Sequence, residues 1–550
     1  MKALLIAEKP SLMREIQNVY QKGNFADDIT FMSFAGHIIS LCMPEDYKPE
    51  WGVKQWHVGM LQIVPDKWKT KVSADKKKLF NDIKNKILTN KYDYIINACD
   101  PDREGQAIFQ YFYDYIEVTE NIKLPPVKRF WTNDLTESAI TNALNNLRYN
   151  GDGKLPNLEN LTKASLLRGK EDWLIGMNGS VASSLQMKST VHMGRVKGPT
   201  LNIVVARELE ILNFKPETTF ELESLYKSTS GNFPGVLFDD DGNVRFKTEK
   251  DADSILKSLG KTAIVEDISK TTAKTFAPTL YKLSDLQIDA SKMLGFGADK
   301  TLDLAQSLYE KKYLSYPRTD NRCISSALAK DFTKLLTSVA SHPDLKSIAN
   351  DVMKDTKTLQ SVAKDKKYVD DAKLAQSGHY AIVPTVIIPN YSILSPDEKE
   401  LLTLVYKRFL SIFLPPLLED KTTIITNNNG YKFKTNGKVL KDRGFTILYN
   451  QNFNDVNLPN LKKGDVLDVD KFELKARTTT PPQRYTDGSL INVMDNPVKF
   501  LNDESLKSIL KEKHGIGTEA TRAGILKELV NNGYIEKKGK GKVEYIYATD

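Results

Sequence analysis

Cysteine is almost absent from this 550-residue sequence: Cys42, Cys99 and Cys323 lie far apart and no two form a CxxC pair. That scarcity excludes a disulfide framework and a cysteine-rich zinc ribbon, and it makes a reducing compartment the default. No apolar run approaches the roughly 18 residues of a membrane span. The opening "MKALLIAEKPSL" has an apolar stretch too short for a signal peptide, followed at once by Glu8 and Lys9. A cytoplasmic protein with no membrane contact is expected. No GxxxxGKS/T loop is present, so no nucleotide cofactor is expected. Net charge is small, +8 from 78 basic and 70 acidic residues. This excludes a histone-like binder but permits a local basic channel for nucleic acid.

What is present suits a globular protein: 40% hydrophobic and 27% charged residues, in a length that normally divides into about three or four domains. Residues 1–150 read as an α/β unit. "KALLIAE" and "KYDYIINACD" are buried strands, "SLMREIQNVYQ" has helical spacing, and "TFMSFAGHIISL" resembles a strand pair. The stretch "NNLRYNGDGKLPNLENL" at 145–161 is a boundary. Long helices follow over 162–212, then an alternating β pattern at 215–275, helices at 283–412, strands again at 420–475, and a helical, basic tail ending in a β-hairpin. The lysine-rich stretch 354–377 reads as a loop or a poorly packed surface.

One stretch raises a chemical question. "YIINACDPDREGQAIF" places Asp100, Asp102 and Glu104 at the tip of an apolar strand. Asp100 and Asp102 can share a face in extended chain, and Glu104 can swing toward the same point from the following turn. Carboxylates this close repel unless a cation sits among them, and hard oxygen ligands with incomplete enclosure suit Mg²⁺. A solvated acidic turn explains the spacing equally well in isolation. A second carboxylate at another strand end, Glu8 in "IAEKPS", could act as an acid or base, with Lys9 as a counter-charge for phosphate; an ordinary strand-to-helix loop is the plainer alternative.

A reacting group is offered by "KKYLSYPRTDNR" at 311–322. Tyr316 precedes Pro317, which disfavours helical geometry at the tyrosine, and Arg318 is a bidentate partner for phosphate. A tyrosine hydroxyl beside an arginine can attack a phosphodiester, although most of the chain's 23 tyrosines serve packing.

The motifs "AEKPS", "DPDREGQAI", "LYEKKYLSYPRTD", "SGHYAIVPT" and "GIGTEATRAGIL", in this order, resemble the type IA DNA topoisomerases, in their topoisomerase III branch. "PEDY" at 44–47, "DWLIGMN" at 172–178, "GRVKGPTL" at 194–201 and "PPQRYTDGSL" at 481–490 extend the resemblance over essentially the whole chain. It implies a multidomain α/β, α and β architecture forming a toroidal core. Its parts would be a Toprim metal-binding domain (1–155), a helical DNA-groove domain (156–215 and 476–550), a β-rich hinge or arch (216–280 and 406–475) and a helical domain carrying the nucleophile (281–405).

The resemblance further implies site roles. Tyr316 would cut one strand and hold its 5′ phosphate, Arg318 would stabilise charge on that phosphate, and Glu8 would serve proton exchange at the departing 3′ oxygen with Lys9 as electrostatic helper. His379 would lie near the phosphate. Glu8, Asp100, Asp102 and Glu104 would hold Mg²⁺. Arg168, Asp172, Arg195, Lys197 and Arg522 would meet DNA, with a solvated helix face the alternative for Arg522. Trp173 would be core or, less simply, a stacking platform. Substrates would be single-stranded, negatively supercoiled or catenated DNA, handled without ATP by a monomer at the nucleoid.

Three departures from the pattern stand out: His192 and Lys197 where Ser and Gln are common, and Tyr380 where Glu or His is usual. The chain stops at Asp550, where family members generally continue, so a truncated piece or a missing accessory function is expected. A decatenation loop would fall at 354–377, with disorder the alternative. Two rivals remain: a Toprim nuclease or primase, for which Tyr316 would have no role, and an inactive single-strand clamp, which would need a broken site.

Overall fold

The computed structural model describes every residue except 53–55, 155, 229–230, 378, 501–506, 508–514, 541–542 and 550. It divides into two units, Met1–Val205 with Thr279–Phe409 and Tyr485–Asp550, and Ala206–Pro278 with Leu410–Arg484.

In the first unit, β1 (Lys2–Ala7), β2 (Asp28–Ser33), β3 (Ile39–Leu41), β4 (Thr70–Val72), β5 (Tyr94–Ala98) and β6 (Val127–Arg129) are joined by α1 (Pro10–Lys22), α2 (Lys77–Thr89) and α3 (Arg103–Glu120). The main sheet has the order β2-β1-β5-β6 and is wholly parallel. Parallel sheets are covered on both faces, which is why β5 is buried at all five positions and β1 at all but Lys2. Side chains alternate between two cores. Ala3, Leu5 and Ala7 pack with Leu12, Ile16, Val19 and Ile96, whereas Leu4, Ile6 and Ile95 pack with Phe80, Ile83, Phe109 and Phe112. Each fully buried aliphatic or aromatic side chain contributes about 1.5–3 kcal/mol. Tyr309 and Tyr316, from far along the chain, belong to the first core.

The strand pair expected in "TFMSFAGHIISL" does not form. β2 pairs in parallel with β1, and β3 pairs antiparallel with β4. The lysine-rich stretch expected to be a loop is helical over Lys346–Lys354, Thr356–Lys364 and Asp371–Ser377. Ala349, Val352 and Val362 face inward there, and Asp355 caps the second helix by accepting from the Thr358 N–H at 3.1 Å.

The helix Pro396–Ser411 carries the buried Glu398 near its start. Its carboxylate accepts from the Ser395 N–H at 2.8 Å, from the Ser307 hydroxyl at 2.6 Å and from Lys311. Burial alone would raise its pKa, but these donors outweigh burial and hold it down at about 2, against an ordinary 4.5. A depressed folded-state value contributes stability above the unfolded pKa, lost as pH falls through the folded one. Glu398 is therefore expected to contribute about 3 kcal/mol at neutral pH, declining between pH 4.5 and about 2. Urea unfolding of Glu398→Gln should show a lower stability at pH 7 and a flatter acid dependence in that window.

The second unit is antiparallel β. It contains β7 (Thr218–Tyr226), β8 (Phe233–Asp239), β9 (Gly242–Asn243), β10 (Arg245–Phe246), β11 (Thr262–Thr275), β12 (Leu417–Asn428), β13 (Tyr431–Asp442) and β14 (Val466–Thr478). The order is β10-β7-β14-β11-β12-β13-β8-β9, and an additional β7–β8 pairing closes the six central strands into a ring. Leu222, Tyr226, Val265, Ile424 and Phe433 fill its core. The β12–β13 turn is Asn429-Gly430, both at positive φ (50° and 90°), as a two-residue hairpin requires.

Candidate active site

The site begins where β1 and β5 end side by side. Ala7 pairs with Ala98, so the residues that follow, Glu8 and Asp100, emerge together. The Asp100 N–H donates to Glu8 Oε2 at 3.1 Å. Asp102 is the N-cap of α3, its Oδ1 accepting from the Gly105 N–H at 2.8 Å. The acidic loop turns so tightly that a Cβ at Gly105 would lie 2.2 Å from the Asp100 carbonyl oxygen. The crowding has the electrostatic result expected of like charges. Burial, with Asp100 and Asp102, pushes the Glu8 carboxyl up to about 8, and burial also raises Asp100.

Basic side chains surround this group. Lys9 reaches Glu310 at 2.9 Å; burial opposes its charge, but Asp100 and Glu310 hold its pKa above the ordinary value. Arg318 Nη1 and His37 Nε2 each lie 3.8 Å from Glu104. The nearby His37 and, beyond the opposing effect of burial, the charge of Arg318 lower the Glu104 pKa. Arg318 Nε is buried with no hydrogen-bond partner among the described residues, a donor suited to an anion.

Tyr316 is 1% exposed and its hydroxyl donates to Asp102 Oδ2 at 2.9 Å, across 214 residues of sequence. Burial, then Asp102 and Asp100, raise its pKa well above the ordinary tyrosine value. The buried His379 ring lies 4.8 Å from the Tyr316 ring. His379 Nε2 faces the Pro101 carbonyl, Nδ1 faces the Asn133 carboxamide at 2.7 Å, and burial lowers its pKa.

The structure thus brings together Glu8, Lys9, Asp100, Asp102, Glu104, Tyr316, Arg318 and His379. Among the described residues no three His, Cys, Asp or Glu side chains converge as a ready-made metal cage. The donor set nonetheless fits Mg²⁺, which is commonly held by one or two carboxylates and completes its octahedron with water and phosphate oxygens.

Among the remaining candidates, the charge of Arg168 also helps to lower the Glu104 pKa. On α5 (Leu158–Met187; α4 is Glu137–Asn145), Arg168 lies 3.6 Å from Asp172, and Arg195 donates to Asp172 at 2.7 Å and to Glu171 at 2.6 Å. This is a partly exposed ionic row. Lys197 is buried against Glu528. Arg522 is 1% exposed, which corrects the solvated helix face and leaves no open guanidinium for a DNA phosphate in this structure. Its Nη1 donates to Asp495 at 2.9 Å and to Glu519 at 3.1 Å. Trp173 is core: its Nε1–H donates to the Cys42 carbonyl at 2.8 Å and its ring packs with Trp51, Met60 and Ile63, so it offers no face for base stacking.

Three participants were not anticipated. The fully buried Arg129 donates to the carbonyls of Asn97 at 2.9 Å, Cys99 at 2.7 Å and Asp100 at 2.6 Å, bracing the acidic loop from below. Asn133 and His37 are the others. Their signal was "RFWTNDLT" and "FAGHI", polar side chains just past short strands.

Comparison with known proteins follows the same division. A family model described as DNA topoisomerase matches residues 157–550, and a Toprim domain model matches residues 3–135. DNA topoisomerase 3 of Bacillus thuringiensis (strain Al Hakam) is 33% identical over 98% of this chain and 73% of its own length. DNA topoisomerase 3 of Bacillus subtilis (strain 168) is 33% identical over 98% of this chain and 74% of its own. The structure of full-length topoisomerase I from Thermotoga maritima superimposes with a TM-score of 0.68 at 24% identity, covering 99% of this chain and 80% of that one. At that identity it speaks for the fold.

Proposed function

Because the chain belongs to the type IA DNA topoisomerases, enzymes that act on DNA, we propose that Tyr316 is the group that breaks the strand. The observation that carries this reading is the Tyr316 hydroxyl at 2.9 Å from Asp102, inside a cluster of carboxylates and beside Arg318. The tyrosyl oxygen attacks a phosphodiester of single-stranded DNA and passes its proton to Asp102, which already accepts its hydrogen bond; the P–O3′ bond breaks, and the 3′ oxygen leaves carrying a proton from Glu8. A 5′-phosphotyrosine results. Glu8, held near pH 8 in its protonation, is the acid that supplies the 3′ oxygen and the base that reclaims its proton on resealing. Arg318 and Lys9 offset the phosphate's charge, and His379 abuts the tyrosine.

Toprim domains generally bind Mg²⁺. Asp100, Asp102 and Glu104 would hold that ion, joined by Glu8 only in its ionised form, and the ion would supply positive charge beside the scissile phosphate. The phosphotyrosine conserves the energy of the broken bond, so strand passage and resealing proceed without ATP. The cycle relaxes negatively supercoiled DNA and unlinks catenated DNA. Arg168 and Arg195 would line the path of the single strand.

The test uses single-stranded oligonucleotide labelled at its 3′ end, because the fragment with the 5′ phosphate stays on the protein. After incubation with Mg²⁺ and quenching in denaturant, label should migrate with the protein, and Tyr316→Phe should lose at least about 10³-fold of that signal. Cleaved oligonucleotide with no protein-bound label, unchanged in the mutant, would replace this reading with metal-dependent nuclease chemistry. No described helix is long and apolar enough to cross a membrane.

A further inference from the structure

Tyr316 and the acidic loop come from distant parts of the sequence, yet both are keyed to one short segment, 129–136. It leaves β6, which pairs with β5: Asn97 is the partner of Arg129, and the Phe130 N–H donates to the Asn97 carbonyl at 3.0 Å. The segment is therefore fixed to the strand that ends at the carboxylates. On its other side it meets the nucleophile. The Tyr316 N–H donates to the Asn133 carbonyl at 2.9 Å, and the Asn133 carboxamide faces His379 Nδ1 at 2.7 Å. Beside these, the Tyr380 hydroxyl donates to Asp134 at 2.8 Å, and the Trp131 ring stacks on His379 at 5.6 Å with 16° between planes.

We infer that Asn133 is a positioning residue for strand cleavage, acting through His379 and the backbone of Tyr316 to set the nucleophile against the acidic loop. The inference rests on the reading of Tyr316 given above. His379 is buried, so its ring has no water to replace a lost partner. Pro101 holds Nε2 and Asn133 holds Nδ1, and together they fix the ring plane that abuts Tyr316. A carboxamide suits that position because the Pro101 carbonyl can only accept, which puts the ring hydrogen on Nε2, and a carboxamide can turn its N–H toward the bare Nδ1. Removing it takes away one of the contacts that set the ring, with Pro101 and the Trp131 stack among those left, and weakens the wall that directs the hydroxyl of Tyr316 toward Asp102. Displacements of about 1 Å in a reacting group cost about 100-fold in rate.

The experiment measures single-turnover adduct formation and oligonucleotide Kd for the full chain. The variants are Asn133→Ala, Asn133→Ser, His379→Ala, the Asn133→Ala/His379→Ala pair, and Tyr316→Phe. Asn133→Ala should slow adduct formation about 10- to 100-fold while Kd stays within about twofold, and the double variant should be no slower than His379→Ala alone. Asn133→Ser guards against misfolding of the alanine variant and should show the same separation of rate from Kd. Multiplicative losses in the double variant, or a rate loss matched by an equal loss of affinity, would overturn the inference. So would wild-type cleavage by Asn133→Ala when Tyr316→Phe is inactive. An active Tyr316→Phe instead removes the reading of the nucleophile itself.

Discussion

Gly105→Ala is expected to lose both stability and strand cleavage, although the substitution adds one methyl group and touches no charge. The added carbon would lie 2.2 Å from the Asp100 carbonyl oxygen and 2.9 Å from its nitrogen. Both are backbone atoms held by Arg129 below and Glu8 beside them, so nothing nearby can rotate away. Either the acidic loop shifts by more than an ångström or α3 backs off, breaking the cap between the Gly105 N–H and Asp102. Overpacking of this kind costs about 3 kcal/mol, read as a lower urea midpoint at unchanged slope. Adduct formation should fall at least about 100-fold. Gly524→Ala provides the opposite sign. Gly524 is exposed, lies within the helix Glu519–Asn531, and has no atom within 4 Å of a new Cβ. It should gain up to about 1 kcal/mol with cleavage intact. A Gly105→Ala protein of native stability and activity would show that the loop is softer than its hydrogen bonds indicate.

Arg522→Met is expected to destabilise the protein by about 3–5 kcal/mol while leaving the salt dependence of DNA binding unchanged. Arg522 belongs to an ion cluster in which Lys282, Glu519 and Arg522 are buried and Asp495 is half-buried. Lys282 reaches Asp495 at 2.7 Å and Glu519 at 3.1 Å, Arg522 reaches the same two carboxylates, and Glu519 also accepts from the Ser284 N–H at 2.6 Å. Two cations balance two anions, so deleting one cation leaves a buried carboxylate unmatched. The double variant Arg522→Met/Glu519→Gln restores neutrality and should recover part of the loss. A residue that contacts phosphate directly would instead reduce the slope of log Kd against log salt by about one when removed, with little change in stability. Measuring both quantities on one variant therefore separates ion-pair packing from phosphate contact at this position.

The parts legible in sequence are those whose function depends on local chemistry. Asp100, Asp102 and Glu104 announce themselves because like charges crowd the end of an apolar strand, and the same apolar run fixes that strand in a parallel sheet. Tyr316 and Arg318 are set apart by the proline between them. Arg129 and Asn133 carry no such mark. Arg129 works by donating to backbone carbonyls about 30 residues earlier in the chain, and any residue type offers a carbonyl. Asn133 meets His379 across 246 residues. Arg522 was expected to meet DNA or solvent, yet it shares a helical face with Leu526 and Leu529, four and seven positions on, both buried, and an arginine on an apolar stripe needs buried carboxylates. The helices of 354–377 were obscured by lysines on their outer faces, while Val352 and Val362 supplied too few apolar positions to stand out.

The closed ring of strands in the second unit also governs the order in which the protein can be made. Its strands come from 206–278 and from 410–484, so β11 must wait for β12 and β14, and β7 for β14, until those segments leave the ribosome. Roughly 200 residues separate the end of β11 from the end of β14, an interval of about 10–40 s at ordinary rates of synthesis. For that time β7 and β11 expose unpaired edges, one of them fourteen residues long. The intervening 279–409 region, which carries Tyr316, emerges in the meantime. The nascent chain is thus most exposed to aggregation and to chaperone capture while the segment carrying Tyr316 is already synthesised and the ring is still half made.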